Sequence, residues 1–332
     1  MTIIMAMFGA SSQALTWAIL ALGVYLTFRI LNFADMSCEG SFALGGSISA
    51  ALMVSFHWNP FVTLIIATLA GMIAGSVTGL LHTKLRIPAI LSGILTMIGL
   101  YSINLRIMGQ ANTSLIGQST VISFFKGLLP KAKELGIKDS TLQTWVTMGV
   151  GLVCIITVVA ILYWFFGTEI GCCIRATGNN EAMVRAQGVN TDKMKILGLV
   201  LSNGLIALAG ALVTQSQGYA DVSMGVGAIV IGLASIVIGE VVFLRAKNFA
   251  GKLMAIVIGS IIYRIIIALV LQWGLNTNDL KLLTAVVVAA ALSVPVLKQT
   301  KCIKWIAHLL LVLQQTKFVK WKKNGSGRMG GN

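Results

Sequence analysis

Residues able to do chemistry collect in two stretches of this sequence. The first, Thr168–Val189, carries Glu169, Arg175, Glu181 and Arg185 around the run Gly178-Asn179-Asn180. Alternating positive and negative side chains with a Gly/Asn turn suit binding rather than bond-making. The stretch reads as two short helices joined through Gly178, Asn179 and Asn180. It lies as a polar island between two long apolar runs, where it would grip a soluble partner. The second stretch, Arg29–Gly40, holds Asn32, Asp35, Ser37 and Glu39 just before a small-residue run, Ser41–Ser49, that includes Gly45 and Gly46. Polar residues and glycine beside a short apolar segment fit a broken helix lining a cavity. An ordinary connecting loop fits them equally.

Neither stretch is catalytic. The sequence has no GxxxxGK[ST] phosphate loop, no HExxH and no GxSxG. Its 10 acidic residues supply no inward pair at helical spacing within an apolar run, and its five cysteines and three histidines show no metal spacing. Enzyme chemistry is therefore disfavoured and ATP hydrolysis by this chain is excluded. Other polar positions lie inside apolar runs. Arg264 is costly there and expects a partner, with Glu240 as one choice and Glu240–Arg245 as an alternative pairing. Ser202, Asn203, Thr214, Gln215, Ser216 and Gln217, followed by Gly225 and Gly227, read either as polar glue between helices or as the lining for a polar solute. Gly71, Gly75 and Gly79 form overlapping GxxxG units for close helix packing.

These groups must be positioned by a membrane scaffold. Of 332 residues, 57% are hydrophobic and 11% charged, and the mean hydropathy is +0.89. A soluble domain carries roughly 25% charged residues. The sequence predicts an all-α polytopic membrane protein of about nine spans: 11–28, 41–57, 61–81, 89–108, 143–166, 197–215, 227–244, 253–272 and 280–297. Residues 1–297 would form the membrane domain, with 168–195 a cytoplasmic loop and 109–142 an extracytoplasmic one. Residues 298–332 would be a basic cytoplasmic tail, part amphipathic helix on the inner leaflet and part disordered. The net charge of +15 falls mainly in the loops of one side and in the tail. It therefore orients the chain, N-terminus out and C-terminus in, rather than pointing to nucleic acid.

Asn32-Phe33-Ala34-Asp35-Met36-Ser37, then Gly40 and Ala43–Gly46, resembles the first conserved block of inner-membrane permeases of ABC importers in the branched-chain amino acid and ribose permease superfamily. Gly171, Arg175, Ala176, Gly178, Asn179, Asn180 and Ala182, then Gly188 and Val189, resemble the cytoplasmic loop of that family. Ala207–Ala211 through Gly225 and Gly227 continues the likeness, which covers about 11–297. Asn32–Ser37 resembles the branch paired with binding lipoproteins for tryptophan, tyrosine or related solutes, from which the long basic tail departs.

The resemblance implies a multi-pass subunit of the bacterial inner membrane. It implies a homodimer or pseudodimer of permeases in lipid, two ABC ATPase subunits that hold ATP and Mg, and an extracytoplasmic binding (lipo)protein. This chain itself would bind no cofactor. Gly171, Arg175, Ala176, Gly178, Asn179, Asn180, Glu181 and Arg185 become the expected ATPase-coupling residues. The expected path of a small polar solute, an aromatic or branched-chain amino acid first, is Asn32, Asp35, Ser37, Ser41, Gly45, Gly46, Asn203, Gln215, Gly225 and Gly227. The rival reading is a secondary transporter or channel, for which Asp35 and Glu240 would be the coupling carboxylates.

Overall fold

The computed structural model describes residues 2–128, 139–243, 248–272, 282, 284–289 and 293, with 2–6 as backbone only. The helices are α1 (Thr2–Tyr25), continued by a π-turn over Leu26–Ile30, α2 (Cys38–Phe56), α3 (Pro60–Thr83), α4 (Ala89–Met108), α5 (Val121–Leu128), α6 (Asp139–Gly167), α7 (Glu169–Asn179), α8 (Glu181–Ala186), α9 (Thr191–Gln217), α10 (Ala228–Val242) and α11 (Phe249–Gln272). Two short strands, β1 (Asn112–Ser114) and β2 (Tyr219–Asp221), pair antiparallel with Thr113 opposite Ala220. The chain is a polytopic helical membrane protein.

The first eight expected spans each fall on a helix: α1 to α4, α6, α9, α10 and α11. Six of these are long and apolar enough to cross a membrane by length and composition. The other two are α2, rich in Gly, Ser and Ala, and α10, with only 15 residues. Of the ninth expected span, 280–297, residues 282, 284–289 and 293 are described, and the tail 298–332 lies wholly outside the described residues. Residues 2–10 belong to the first helix, α1, which starts at Thr2.

Local signals set the helix ends. The Asn59 side chain accepts from Phe61 N at 3.0 Å ahead of Pro60 in the first turn of α3. The Asn190 side chain accepts from Lys193 N at 3.1 Å to start α9, and Gly218, with φ +80°, ends it.

Packing follows residue size. α1 is the central helix, 83% buried along its apolar window, whereas α3 and α4 are 33% and 28% buried. On α3, Ile65, Leu69, Ile73 and Val77 are exposed at four-residue spacing, a face suited to lipid. Gly71, Gly75 and Gly79 face the other way, onto Ala207, Asn203, Leu199 and Ile196 of α9. Both glycines 71 and 75 sit against backbone carbonyls of α9, so the GxxxG pattern serves packing within the chain. At the opposite end from α7, the β1–β2 ribbon and α5 form a small cap drawn from 109–128 and from 219–221. Gln215 holds it by accepting from Val121 N at 3.0 Å.

Candidate functional site

The polar island folds into a tight hairpin. The Thr168 hydroxyl accepts from Gly171 N at 3.3 Å to start α7. Asn180 alone makes the turn, with φ −152° and ψ 93°. Its N–H donates to Ala176 O, closing α7, while its side chain accepts from Met183 N at 3.1 Å, opening α8. Gly178 and Asn179, expected in the turn, instead belong to the last turn of α7. Gly178 is small for a packing reason: a Cβ there would overlap the Ile30 carbonyl oxygen at the end of the π-turn. Gly171 likewise lies against the Phe165 carbonyl, and Ile174 and Val184 are the buried anchors of the two short helices.

Charges hold the hairpin to α9. Glu181 accepts from Arg185 Nη2 at 2.7 Å, from Lys195 Nζ at 2.7 Å and from Thr191 Oγ1 at 3.2 Å, while Arg185 Nη2 also donates to Thr191 Oγ1 at 3.0 Å. The Lys195 ammonium bonded to its carboxylate holds Glu181 below the ordinary carboxylate pKa, against the opposing effect of partial burial. Arg175 stacks over the Phe249 ring, 5.4 Å from its centroid. Ile170 and Met183 remain exposed, at 48% each, and Asn179, Ala182 and Arg185 are exposed beside them. Sequence reasoning did not single out Met183 or Lys195. An apolar residue flanked by charged ones in a polar island was the available signal.

The second stretch is a broken helix segment buried among its neighbours. After the π-turn, Asn32 takes a left-handed conformation, φ 52°, and the chain runs irregularly to α2. Asp35 is wholly buried and accepts from Ser37 N at 2.9 Å and Ser37 Oγ at 2.5 Å through one oxygen, and from Asn203 Nδ2 at 2.8 Å through the other. Asn203 Oδ1 accepts from Ser41 Oγ at 2.6 Å and Ser37 Oγ at 3.2 Å. Asp35, Ser37, Ser41 and Asn203 thus form one saturated seam joining the broken segment to the middle of α9.

The other expected path residues lie apart from that seam. Gln215 Nε2 donates to Ser49 Oγ at 3.1 Å, Thr63 Oγ1 at 3.1 Å and Pro60 O at 3.2 Å. Gly45 sits against the Ala207 backbone, Gly46 against Thr214 and Met224, and Gly225 against the Glu39 backbone. Gly227, with φ +84°, caps α10 and gives its N–H to Glu39 Oε1 at 2.9 Å. Asn32 is the outlier. It lines a cavity of about 450 Å³ with Tyr25, Arg29, Arg175 and Asn179, beside the hairpin.

One expected pairing is corrected. Glu240 binds Arg29 rather than Arg264, because the π-turn carries Arg29 to the end of α10; Arg245, the alternative partner, lies outside the described residues. Arg264 instead stacks on Trp17, 4.3 Å from the ring centroid, a cation–π contact that offsets part of the cost of a buried cation.

Residues 6–293 match the family described as branched-chain amino acid transport system / permease component. Among curated relatives, a tyrosine transport system permease protein of Clostridioides difficile is 40% identical over 85% of this chain and 88% of its own length. An uncharacterized protein of Rickettsia prowazekii is 31% identical over 86% and 95%. A ribose import permease protein of Haemophilus influenzae is 27% identical over 74% and 71%. With the family match covering most of the chain, from α1 to beyond α11, the hairpin and the buried seam belong to a multi-pass inner-membrane protein, and the chain is a member of the branched-chain amino acid transport system / permease component family, the permeases of ABC importers.

Proposed function

We propose that two copies of this chain form the membrane path of an ABC importer for an amino acid, an aromatic one first. The chain is the non-catalytic part. ATP and Mg are used on separate ATPase subunits, and an extracytoplasmic binding (lipo)protein delivers the solute. The observation that carries this reading is the seating of Gly178 against the Ile30 carbonyl. It links the exposed α7–α8 hairpin to the end of α1 and, five residues later, to Asp35 and its bond to α9. A push on the hairpin by a closing ATPase dimer would therefore reach the broken segment directly.

The solute reading is supported by the name of the 40% identical relative, a tyrosine transport permease. In this reading the path runs along Asn32–Ser49 and the small polar faces of α9 and α10. A zwitterion losing its water needs hydrogen bonds in return. Asn32 can supply them directly, and Ser37, Ser41, Asn203 and Gln215, bonded to one another and to neighbouring helices in this state, would turn their bonds to the solute when the path opens. Gly45 and Gly46 stand where α2 packs closely on its neighbours and Gly225 lies against the Glu39 backbone, so these are where the two access states would slide past each other, while Gly227 sets the turn into α10.

Coupling is tested by Gly178→Val and Arg175→Glu in the reconstituted importer. Both are expected to abolish solute-stimulated ATPase activity and uptake while the protein stays inserted. Normal stimulation in both variants overturns the docking assignment. The path is tested by uptake of tyrosine by Ser41→Ala and Asn203→Ala at matched expression. An unchanged apparent affinity and maximal rate removes both residues from it.

A further inference from the structure

The cavity beside the hairpin is cationic. Arg29, Arg175 and Lys252 all line it. Arg29 is neutralised by Glu240. Arg175 points a guanidinium N–H at the Cys172 sulfur, 3.3 Å away, a weak acceptor. Among the described residues neither Arg175 nor Lys252 has an ion-pair partner. Two unpaired positive charges therefore share one concave space, where their fields add.

A second cavity, of about 420 Å³, continues from the first and shares Tyr25, Arg29 and Lys252 with it. Its character is different. Ala255 and Ile256 line its inner wall, almost fully buried, Phe243 stands exposed at its side, and Glu240 also lines it, its carboxylate paired with Arg29. From Lys252 to Ile256 is about one turn of α11, running from the basic end of the helix into its apolar length. Cationic space thus passes within one helical turn into an apolar groove, at the end of the bundle that the Lys/Arg bias assigns to the cytoplasm.

A free anion would use only the first cavity. An amphiphile with a negative head would use both. We propose that Arg29, Arg175 and Lys252 bind the headgroup of an anionic phospholipid of the inner leaflet, with its upper acyl chain in the groove of Phe243, Ala255 and Ile256. A lipid bound there touches α7 through Arg175, the end of α1 through Arg29 and α11 through Lys252, so it would brace the coupling hairpin against the span bundle.

The test is native mass spectrometry of the full-length chain with added dioleoylphosphatidylglycerol or dioleoylphosphatidylcholine. The wild-type chain is expected to retain the anionic lipid in preference to the neutral one. Lys252→Gln should lower that retention about fivefold, the effect of one basic group at a charged leaflet, and Lys252→Arg should keep it. Phe243→Ser should also lower retention, and inorganic phosphate should not displace the lipid. Equal retention of both lipids, or retention unchanged in Lys252→Gln, overturns the proposal. Displacement by inorganic phosphate replaces it with a small-anion pocket. Weakened association with the ATPase subunit in Lys252→Gln, with lipid retention intact, makes the cavity a protein contact and equally overturns it.

Discussion

Around Asn203, four side chains (Asp35, Ser37, Ser41 and Asn203) share hydrogen bonds with 0% of their surface exposed. Around Glu181, four others (Glu181, Arg185, Thr191 and Lys195) share bonds of similar length, with the Arg185 side chain 59% and Glu181 36% exposed. The chemistry is alike and the solvent differs. In the dry seam a lost partner leaves a carboxylate or amide with nothing to bind, so the geometry of the broken segment is fixed. In the wet hairpin water replaces any lost partner at small cost. Under the proposed function, the region that an ATPase would move is the one whose polar contacts are cheap to exchange, and the region that would transmit the motion is held by contacts that are not.

The largest effect that bears on this contrast is expected from Asn203→Leu. It strands one Asp35 oxygen and the Ser41 hydroxyl in the bundle, a loss of about 3 kcal/mol or more, read as a lowered thermal midpoint of the purified protein. Removing the carboxylate as well, in Asn203→Leu with Asp35→Leu, should recover part of the loss, because both partners are then gone. A wild-type midpoint for the single variant would mean that the seam contributes nothing to the fold. Glu181→Gln should be far milder, less than about 1 kcal/mol and shrinking further in high salt. A midpoint drop as large as that of Asn203→Leu would erase the distinction between the two regions.

The smallest effect sharpens the contrast through pH. The Glu181 pKa is lowered in the folded hairpin, chiefly by Lys195. The stabilisation it gives is therefore present above the ordinary carboxylate value and is lost as pH falls through the lowered one. Hydrogen exchange of residues 181–187, corrected for intrinsic rates, should show loosening only in that acidic window. Loosening that begins near neutrality would assign the hairpin's hold to another group.

The helices were legible because hydropathy and cap residues are local. Asn59-Pro60 and Asn190 mark starts and Gly218 an end, and the structure uses each. The island at Thr168–Val189 was legible because a polar run between apolar ones has few other uses in a membrane. The hairpin's details were not. Gly178 looks like a turn residue in the sequence, yet its smallness answers to Ile30, far away in the chain. The same holds for Glu240. Its sequence neighbourhood offers Arg245, and a helix pattern offers Arg264, but only the π-turn after α1 brings Arg29 to it.

By itself, the sequence determined that the chain is helical, lies in a membrane and carries one polar island between apolar runs, since these follow from composition, periodicity and residue type. Tertiary structure alone decided which polar groups are dry. Ser41 and Asn203 lie in runs that could have faced solute, lipid or protein. They bond to each other because Gly71, Gly75, Gly45 and Gly210 let α3, α2 and α9 approach backbone to backbone, and the depth of that approach is a property of three helices at once rather than of any one of them.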